Sequence, residues 1–255
     1  MQQHRKLQPR LGIRKLIVLL SDFIRDHKIK MGRDALFDLL REHNLLVRKR
    51  KRTVQTTFSK HGYHKYRNLI KQYEPLAANL LWVSDITYIF VEEGFAYLSL
   101  ITDAYSRKIV GFYLAESLET IGCINALSMA IAGCSDCSLL IHHSDRGIQY
   151  CSHAYVDLLT DNGIKISMTE KSDPLENAIA ERVNGILKEE LLQHKYPDIK
   201  TARIEVAKAI VIYNTLRPHS SCNMLTPHIA HIQSGKLKKH WKNYYLKKEV
   251  TMAAP

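Results

Sequence analysis

Three carboxylates stand where the surrounding residue types would favour something else. Asp85 lies inside the β-branched and aromatic run Leu81-Trp82-Val83-Ser84-Asp85-Ile86-Thr87-Tyr88-Ile89-Phe90, which reads as a strand, and strand interiors disfavour acids. Asp145 follows the short run Leu139 to His142, at the C-terminal end of a strand, where open sheets place their ligands. Glu181 lies on a helix opened by Pro174. Thirty-five residues separate Asp145 from Glu181, room for a helix, a strand and the start of a returning helix, so the three side chains could converge at one edge of a sheet. A set of hard oxygen ligands suits Mg²⁺, which takes one or two carboxylates together with water and substrate phosphate. Two such ions about 3.5–4 Å apart would activate an attacking hydroxyl and stabilise a leaving 3′ oxygen. Taken singly, each acid has a plainer reading. Glu181 is then a solvated helix residue and Asp145 a turn former in Ser-Asp-Arg-Gly.

The elements that must position these acids are legible from periodicity. Strands are predicted over 81–90 and 95–102, joined by Glu92-Glu93-Gly94, and over 109–114, 139–142 and 165–168. Helices are predicted over 119–132, 153–162 (closed by Asn162-Gly163), 174–194 and 202–215, the last stopping before Pro218. Three hairpin-linked strands followed by helix, strand, helix, strand and helix predict an α/β fold with a mixed five-stranded sheet, the order of the ribonuclease H-like fold. Upstream, apolar steps of three and four predict helices over 12–25 and 33–46, broken at Gly32 and compatible with a helix-turn-helix. The chain thus divides into a helical, helix-turn-helix-like DNA-binding region (1–47), a basic linker (48–77), a core (78–233) and a basic tail (234–255).

The charge follows that division. The 255 residues carry a net charge of +12. Residues 1–80 hold 19 Lys and Arg against 6 Asp and Glu, residues 81–234 hold 12 against 18, and residues 235–255 hold 6 against 1. An acidic middle between two basic ends points to a polyanionic partner. The run Arg48, Lys49, Arg50, Lys51, Arg52 gains most from one, because each phosphate contact releases condensed counterions. The bland alternative is a solvated linker. No apolar run approaches the roughly 18 residues needed to span a bilayer, so no membrane partner is expected. Five scattered cysteines indicate no disulfide framework, and the expected compartment is the cytoplasm, in association with the nucleoid. Cys134-x-x-Cys137 and His61-x-x-His64 could suggest zinc or a redox pair. Strands separate the two pairs, and a loop position between helix and strand suits the cysteines better.

Four ordered blocks carry a resemblance: Trp82-x-x-Asp85-Ile-Thr-Tyr; His142-His-Ser-Asp145-Arg-Gly-Ile-Gln-Tyr; Glu176-Asn-Ala-x-Ala-Glu181-Arg-x-Asn-x-x-x-Lys188; and Tyr213-Asn-x-x-Arg217-Pro-His219 with Thr226-Pro227. Over about residues 78–232 the chain resembles the retroviral-integrase-like DDE transposases of bacterial insertion sequences, in the second-reading-frame product of the two-frame type. Residues 10–75 resemble the helical region and basic linker before that core more loosely. Glu176 stands where relatives often have Asp, and Cys222 where Leu is frequent. The resemblance implies that Asp85, Asp145 and Glu181 are the catalytic and metal-holding residues, with Asp85 bridging two Mg²⁺ ions and Mn²⁺ as the alternative metal. It implies that Lys188, two helical turns beyond Glu181, faces DNA, with Asn177 and Arg182 beside it. The activity implied is DNA strand cleavage and strand transfer at element ends. The partners implied are double-stranded DNA, further copies of the chain, and a first-frame product as partner or fusion. The competing readings are a ribonuclease H-type nuclease and a non-catalytic DNA-binding regulator derived from a transposase.

Overall fold

The computed structural model describes residues 1–47, 62–170 and 174–241. Its first unit is helical, with α1 (Gln2–Leu7), α2 (Ile13–Leu19), α3 (Ser21–Asp26) and α4 (Arg33–Glu42). Leu11, Leu16, Leu20, Leu36 and Leu40 bury one another, which is the apolar face that the spacing predicts. The single helix expected over 12–25 is two helices. Ser21 Oγ donates to the Val18 carbonyl at 2.8 Å, and a hydroxyl bonded to the preceding turn competes with the helical ladder. The helix expected to reach residue 46 stops at Glu42, and Asn44 turns left-handed at φ 54° just beyond it. Asparagine tolerates that conformation at a helix end. α1 escapes sequence reading because Leu7 is its only apolar residue.

The core is built on β1 (Leu81–Val91), β2 (Gly94–Asp103), β3 (Ile109–Ala115), β4 (Ile141–Ser144) and β5 (Lys165–Met168), with helices α5 (Thr120–Ala132), α6 (Ile148–Cys151), α7 (His153–Asp161), α8 (Ala178–Ile186), α9 (Ile199–Thr215) and α10 (Pro227–His231). The five strands form one mixed sheet in the order β3-β2-β1-β4-β5. β1–β2 and β2–β3 are antiparallel, and β1–β4 and β4–β5 are parallel. Trp82 and Ile101 pack one face against Leu127 of α5 and Tyr155 and Leu159 of α7. Leu98 and Leu100 pack the other against Val183 and Ile186 of α8 and Val206 and Ile210 of α9. α5 approaches β3 so closely that a Cβ on Gly111 would lie 2.1 Å from the Ala126 carbonyl oxygen. Among the described residues no helix is long and apolar enough to cross a membrane.

Two departures from the predicted elements bear on the site. β4 runs through His142, His143 and Ser144 rather than ending at His142, and Leu139 is 67% exposed. Partners inside the core meet most of these buried polar groups, His142 Nε2, both His143 nitrogens and Ser144 Oγ among them, while His142 Nδ1 has none among the described residues. The continuous helix expected over 174–194 is a 3₁₀ turn (Pro174–Asn177), α8, and then a π turn (Leu187–Leu191) closed by the Leu192 N–H donating to the Leu187 carbonyl at 2.8 Å. The extra residue of a π turn allows Leu187 and Leu192 both to be buried.

The same turn carries Glu190 to Arg217, which donates to its two carboxylate oxygens at 2.8 Å each. Lys15 of α2 donates to Glu190 Oε1 at 3.0 Å. Arg217 is fully buried and Lys15 and Glu190 nearly so. Burial alone would raise the Glu190 pKa, but Arg217 and Lys15 hold it below the usual carboxylate value. Glu190→Gln should leave two buried cations short of a counter-charge. It should lower unfolding free energy by about 3–5 kcal/mol, read as a shift in the urea midpoint. A loss below about 1 kcal/mol would mean that the network contributes little.

Candidate active site

The parallel register of β1 and β4 brings the first two acids together. Leu81, Trp82 and Val83 pair with Ile141, His142 and His143, and continuing that register two residues sets Asp85 level with Asp145. Asp85 points to the face covered by α8, as Leu81 and Val83 do, alternate residues sharing a face. Asn184 of α8 donates to Asp85 Oδ2 at 2.7 Å, and the Ile86 N–H donates to Oδ1 at 2.9 Å. Burial, then the charges of Asp145 and Glu181, push the Asp85 pKa up to about 7, against the Asn184 hydrogen bond. All three predicted acids therefore share one electrostatic neighbourhood. Asp145 Oδ1 accepts the Gly147 N–H at 2.9 Å. A Cβ at Gly147 would stand 3.0 Å from that same oxygen, so glycine permits the turn that presents the acid. Glu181 is exposed on the first turn of α8.

A buried hydrogen-bond relay sets where α8 begins. The Leu69 N–H donates to Ser167 Oγ at 2.9 Å, and Ser167 Oγ lies 2.8 Å from His143 Nδ1. His143 Nε2 lies 3.1 Å from the Glu176 carbonyl. A carbonyl can only accept, so Nε2 carries the proton and Nδ1 accepts from Ser167. Burial lowers the His143 pKa to about 4, keeping the ring neutral. The Glu176 carboxylate accepts the Glu170 N–H at 2.6 Å. Asn177 donates to the Ser84 carbonyl at 2.9 Å and is 6% exposed. His142 Nε2 lies 2.7 Å from Ser84 Oγ and 2.9 Å from the Tyr155 hydroxyl.

The remaining predicted positions distribute themselves differently. Lys188 sits at the start of the π turn, so ordinary helical periodicity does not carry it from Glu181. It is partly buried all the same: burial lowers its pKa, and the Asp85 charge opposes that shift. Asn177 is turned inward to Ser84, whereas Arg182 is exposed on α8. Arg48, Lys49, Arg50, Lys51 and Arg52 lie outside the described residues, as does His61. Cys134 and Cys137 occupy the segment between α5 and β4, where Cys134 Sγ donates to the Asp136 carbonyl. Among the described residues no three His, Cys, Asp or Glu side chains are gathered into a preformed metal group. Asn184, to which sequence reading assigns no role, is the residue that holds Asp85. Its signal is the spacing of three residues from Glu181 and four to Lys188. The Tyr213–His219 block acts inside the fold: Asn214 brackets Ile109, accepting its N–H and donating to its carbonyl at 2.9 Å each.

Integrase core domain models match residues 75–174 and 162–227. A 31 kDa protein of insertion element IS600 from Shigella sonnei is 34% identical over 227 residues, covering 88% of this chain and 82% of that protein. The chain belongs to the integrase-core transposases of bacterial insertion sequences. Transposase InsF of insertion sequence IS3A from Escherichia coli is 29% identical to it over 82% of this chain and 73% of InsF. Among solved structures, the simian T-cell lymphotropic virus intasome superposes with a TM-score of 0.54 at 19% identity, over 87% of this chain and 75% of that one. The HTLV-2 integrase catalytic core superposes at 0.50 with 21% identity, over 62% and 99%. These two show that the transposase core has the integrase catalytic fold, which is the ribonuclease H-like sheet expected from its element order.

The Asp85 carboxyl makes the stability of this transposase fall with pH. Its pKa is raised from the ordinary carboxylate value to about 7. Between those limits the folded chain keeps a proton that the unfolded chain has released, and stability declines as pH rises through that window. In EDTA, Asp85→Asn should therefore be more stable than the unsubstituted chain above pH 7, by on the order of 1–3 kcal/mol. The gain should vanish toward pH 4. A thermal-midpoint series across pH checks this, and parallel curves for the two proteins would contradict it.

Proposed function

We propose that this transposase cleaves DNA strands at the ends of its insertion element and transfers the freed 3′-OH to a second phosphodiester, with Asp85, Asp145 and Glu181 as the catalytic acids. The observation that carries the reading is that Asp145 and Glu181 are the charges acting on buried Asp85, with Asp85 and Asp145 each two residues beyond the last β1–β4 pair, Val83 and His143. A buried acid whose pKa is raised by its burial and by two neighbouring acids is a poor arrangement for a protein alone and a good one for a divalent cation. The donor chemistry, all carboxylate oxygen, fits Mg²⁺ or Mn²⁺. Asp85, Asp145 and Glu181 would hold that metal as two ions, which supply charge neutralisation and an acidified nucleophile when bound. The HTLV-2 integrase core was solved in complex with magnesium, which supports the same choice.

The chain's own residues supply position. Asn184 fixes one oxygen of Asp85, and the Gly147 N–H fixes one of Asp145. Asn177 ties the start of α8 to the carbonyl beside Asp85, a positioning role. Lys188, held near Asp85, offers an ammonium to a DNA phosphate close to the reacting bond. Catalysis is then mostly orientation and electrostatic stabilisation. The basic run Arg48–Arg52 contacts the DNA backbone, which supplies affinity without sequence specificity. Joining two element ends calls for at least two copies of the chain, as in the intasome assembly of the viral relative. A first-frame product, as partner or fusion, would select the ends, and the work is done in the bacterial cytoplasm on the nucleoid.

Incubation with a supercoiled plasmid carrying the element ends tests the reading. Mg²⁺ should give nicking and end joining, EDTA should abolish both, and Asp145→Asn should reduce them at least about 100-fold. Metal-dependent nicking with no joining, even with the frameshift fusion added, would favour a nuclease. End binding without any cleavage in that same mixture would favour the regulator reading.

A further inference from the structure

A second cleft, of about 690 Å³, opens between the N-terminal helices and the core. Arg14, Arg33 and Phe37 line it from the helical unit, and Arg182, His219 and Trp241 line it from the core. Lys15 and Arg217 also line it, with Glu190 meeting their charges. Its one acidic lining residue, Asp34, is bonded to Arg33 through both carboxylate oxygens, at 2.7 and 3.1 Å. Arg14 and Arg182 are exposed, and Arg182 follows Glu181 directly on α8. The cleft therefore borders the helix that bears Glu181.

His219 gives the cleft its chemistry. The ring is 5% exposed, and its Nδ1 accepts the Ser221 N–H at 3.3 Å. An N–H can only donate, so the neutral ring carries its proton on Nε2. That Nε2 is shielded from water and has no hydrogen-bond partner among the described residues. Burial, then Arg217 and the other cations nearby, hold the His219 pKa well below the ordinary histidine value, which keeps the ring a neutral donor. Buried donors left unpaired are uncommon and call for an explanation. Here the donor stands among cations, and its natural complement is an anionic oxygen. Two aromatic rings border the same space: Trp241 is 46% exposed with Nε1 donating to Ser221 Oγ at 3.1 Å, and Phe37 is 37% exposed. Exposed rings beside cations suit a nucleotide strand better than a bare phosphate, because bases stack on them.

We propose that this cleft binds the phosphodiester backbone of a DNA strand adjoining the one processed at Asp85, Asp145 and Glu181. His219 Nε2–H donates to a phosphate oxygen, Arg14 and Arg182 neutralise the backbone, and Trp241 stacks on a base. The choice of DNA as ligand rests on the transposase reading, but the test needs no cleavage.

Anisotropy of labelled 30-base-pair duplex and 30-nucleotide single strands is measured in EDTA across a sodium chloride series. Arg14→Ala and Arg182→Ala should each reduce the salt slope by about 0.9 for duplex and about 0.7 for single strand. Lys208→Ala, an exposed cation on α9 outside both the cleft and the helical unit, should leave the slope unchanged. Trp241→Ala should weaken single-strand binding about 5-fold or more. His219→Leu should weaken binding, and His219→Gln, which keeps an N–H donor, should restore part of it. Unchanged slopes in both arginine variants would overturn the proposal, whatever becomes of the buried histidine. Calorimetric titration with inorganic phosphate separates the sources: phosphate binding lost in the arginine variants, with DNA slopes unmoved, would make this a small-anion site and equally overturn it. The expected slopes in the arginine variants, with no plasmid cleavage by the unsubstituted protein even when the frameshift fusion is added, would sustain the cleft and sink the catalytic reading.

Discussion

The carboxylate of Glu190 sits where two halves of the molecule meet. Arg217 reaches it from the segment after α9, Lys15 reaches it from α2, and all three are withdrawn from water. Each would be costly to bury alone, because an ion taken from water loses hydration that only close opposite charge and hydrogen bonds replace. The solution requires three distant segments to arrive together: the N-terminal helix, the π turn after α8 and the Arg-Pro-His segment. The helical unit is therefore seated on the core by this charge cluster, beside which Gln8 donates to the Leu216 carbonyl at 3.3 Å. The cleft beside that cluster inherits its walls from the same seating.

The acids are presented in a comparable way. Their geometry depends less on the acids than on ordinary backbone pairing. The parallel register fixes Asp85 and Asp145 at one level, and the relay from Leu69 through Ser167 and His143 to Glu176 fixes the start of α8. Both histidines of β4 are kept neutral by burial, so this relay should not titrate near neutral pH. The acid cluster is the opposite case, held in a charge state that the protein alone does not favour. A neutral support therefore lies under a cluster of acids whose charges oppose one another.

The sequence makes one part of this legible and hides another, for physical reasons. An Asp inside a β-branched run violates strand preference, and an Asp at a strand end occupies a ligand position. Asp85 and Asp145 therefore announce themselves, and the spacing to Glu181 completes the pattern. The five strands follow from alternation and turn residues, except that β4 is displaced: His142, His143 and Ser144 read as polar until their buried partners are known. Glu190 is invisible for the same reason, since a polar residue on a helix reads as solvated when its partner is far away in the chain, and Asn184 offers only its spacing between Glu181 and Lys188. The π turn is the hardest feature to foresee. Periodicity predicts an unbroken helix through residue 194, and the irregularity exists to satisfy Leu192 and Glu190 together, which only tertiary structure can demand. Asn177 reads from its place one turn before Glu181 as a residue that orients that acid or meets DNA, and the fold turns its side chain inward to the Ser84 carbonyl. The densest basic run, Arg48–Arg52, is legible only as charge.

The π turn also makes α8 and its extension a single lever with two loads. At one end stand Glu181, Asn184 and Lys188, whose charges or hydrogen bonds act on Asp85. At the other, within a few residues, stands Glu190, which grips the N-terminal unit. A rotation of that unit against the core must either break the Lys15–Glu190 pair or turn the lever. A one-residue deletion in Leu187–Leu191 would let the turn relax to an ordinary α-helix and swing Glu190 about 100° around the axis, uncoupling the unit while leaving the acids in place. The irregular turn thus serves as the gearing between the N-terminal helical unit and the acid cluster of the core.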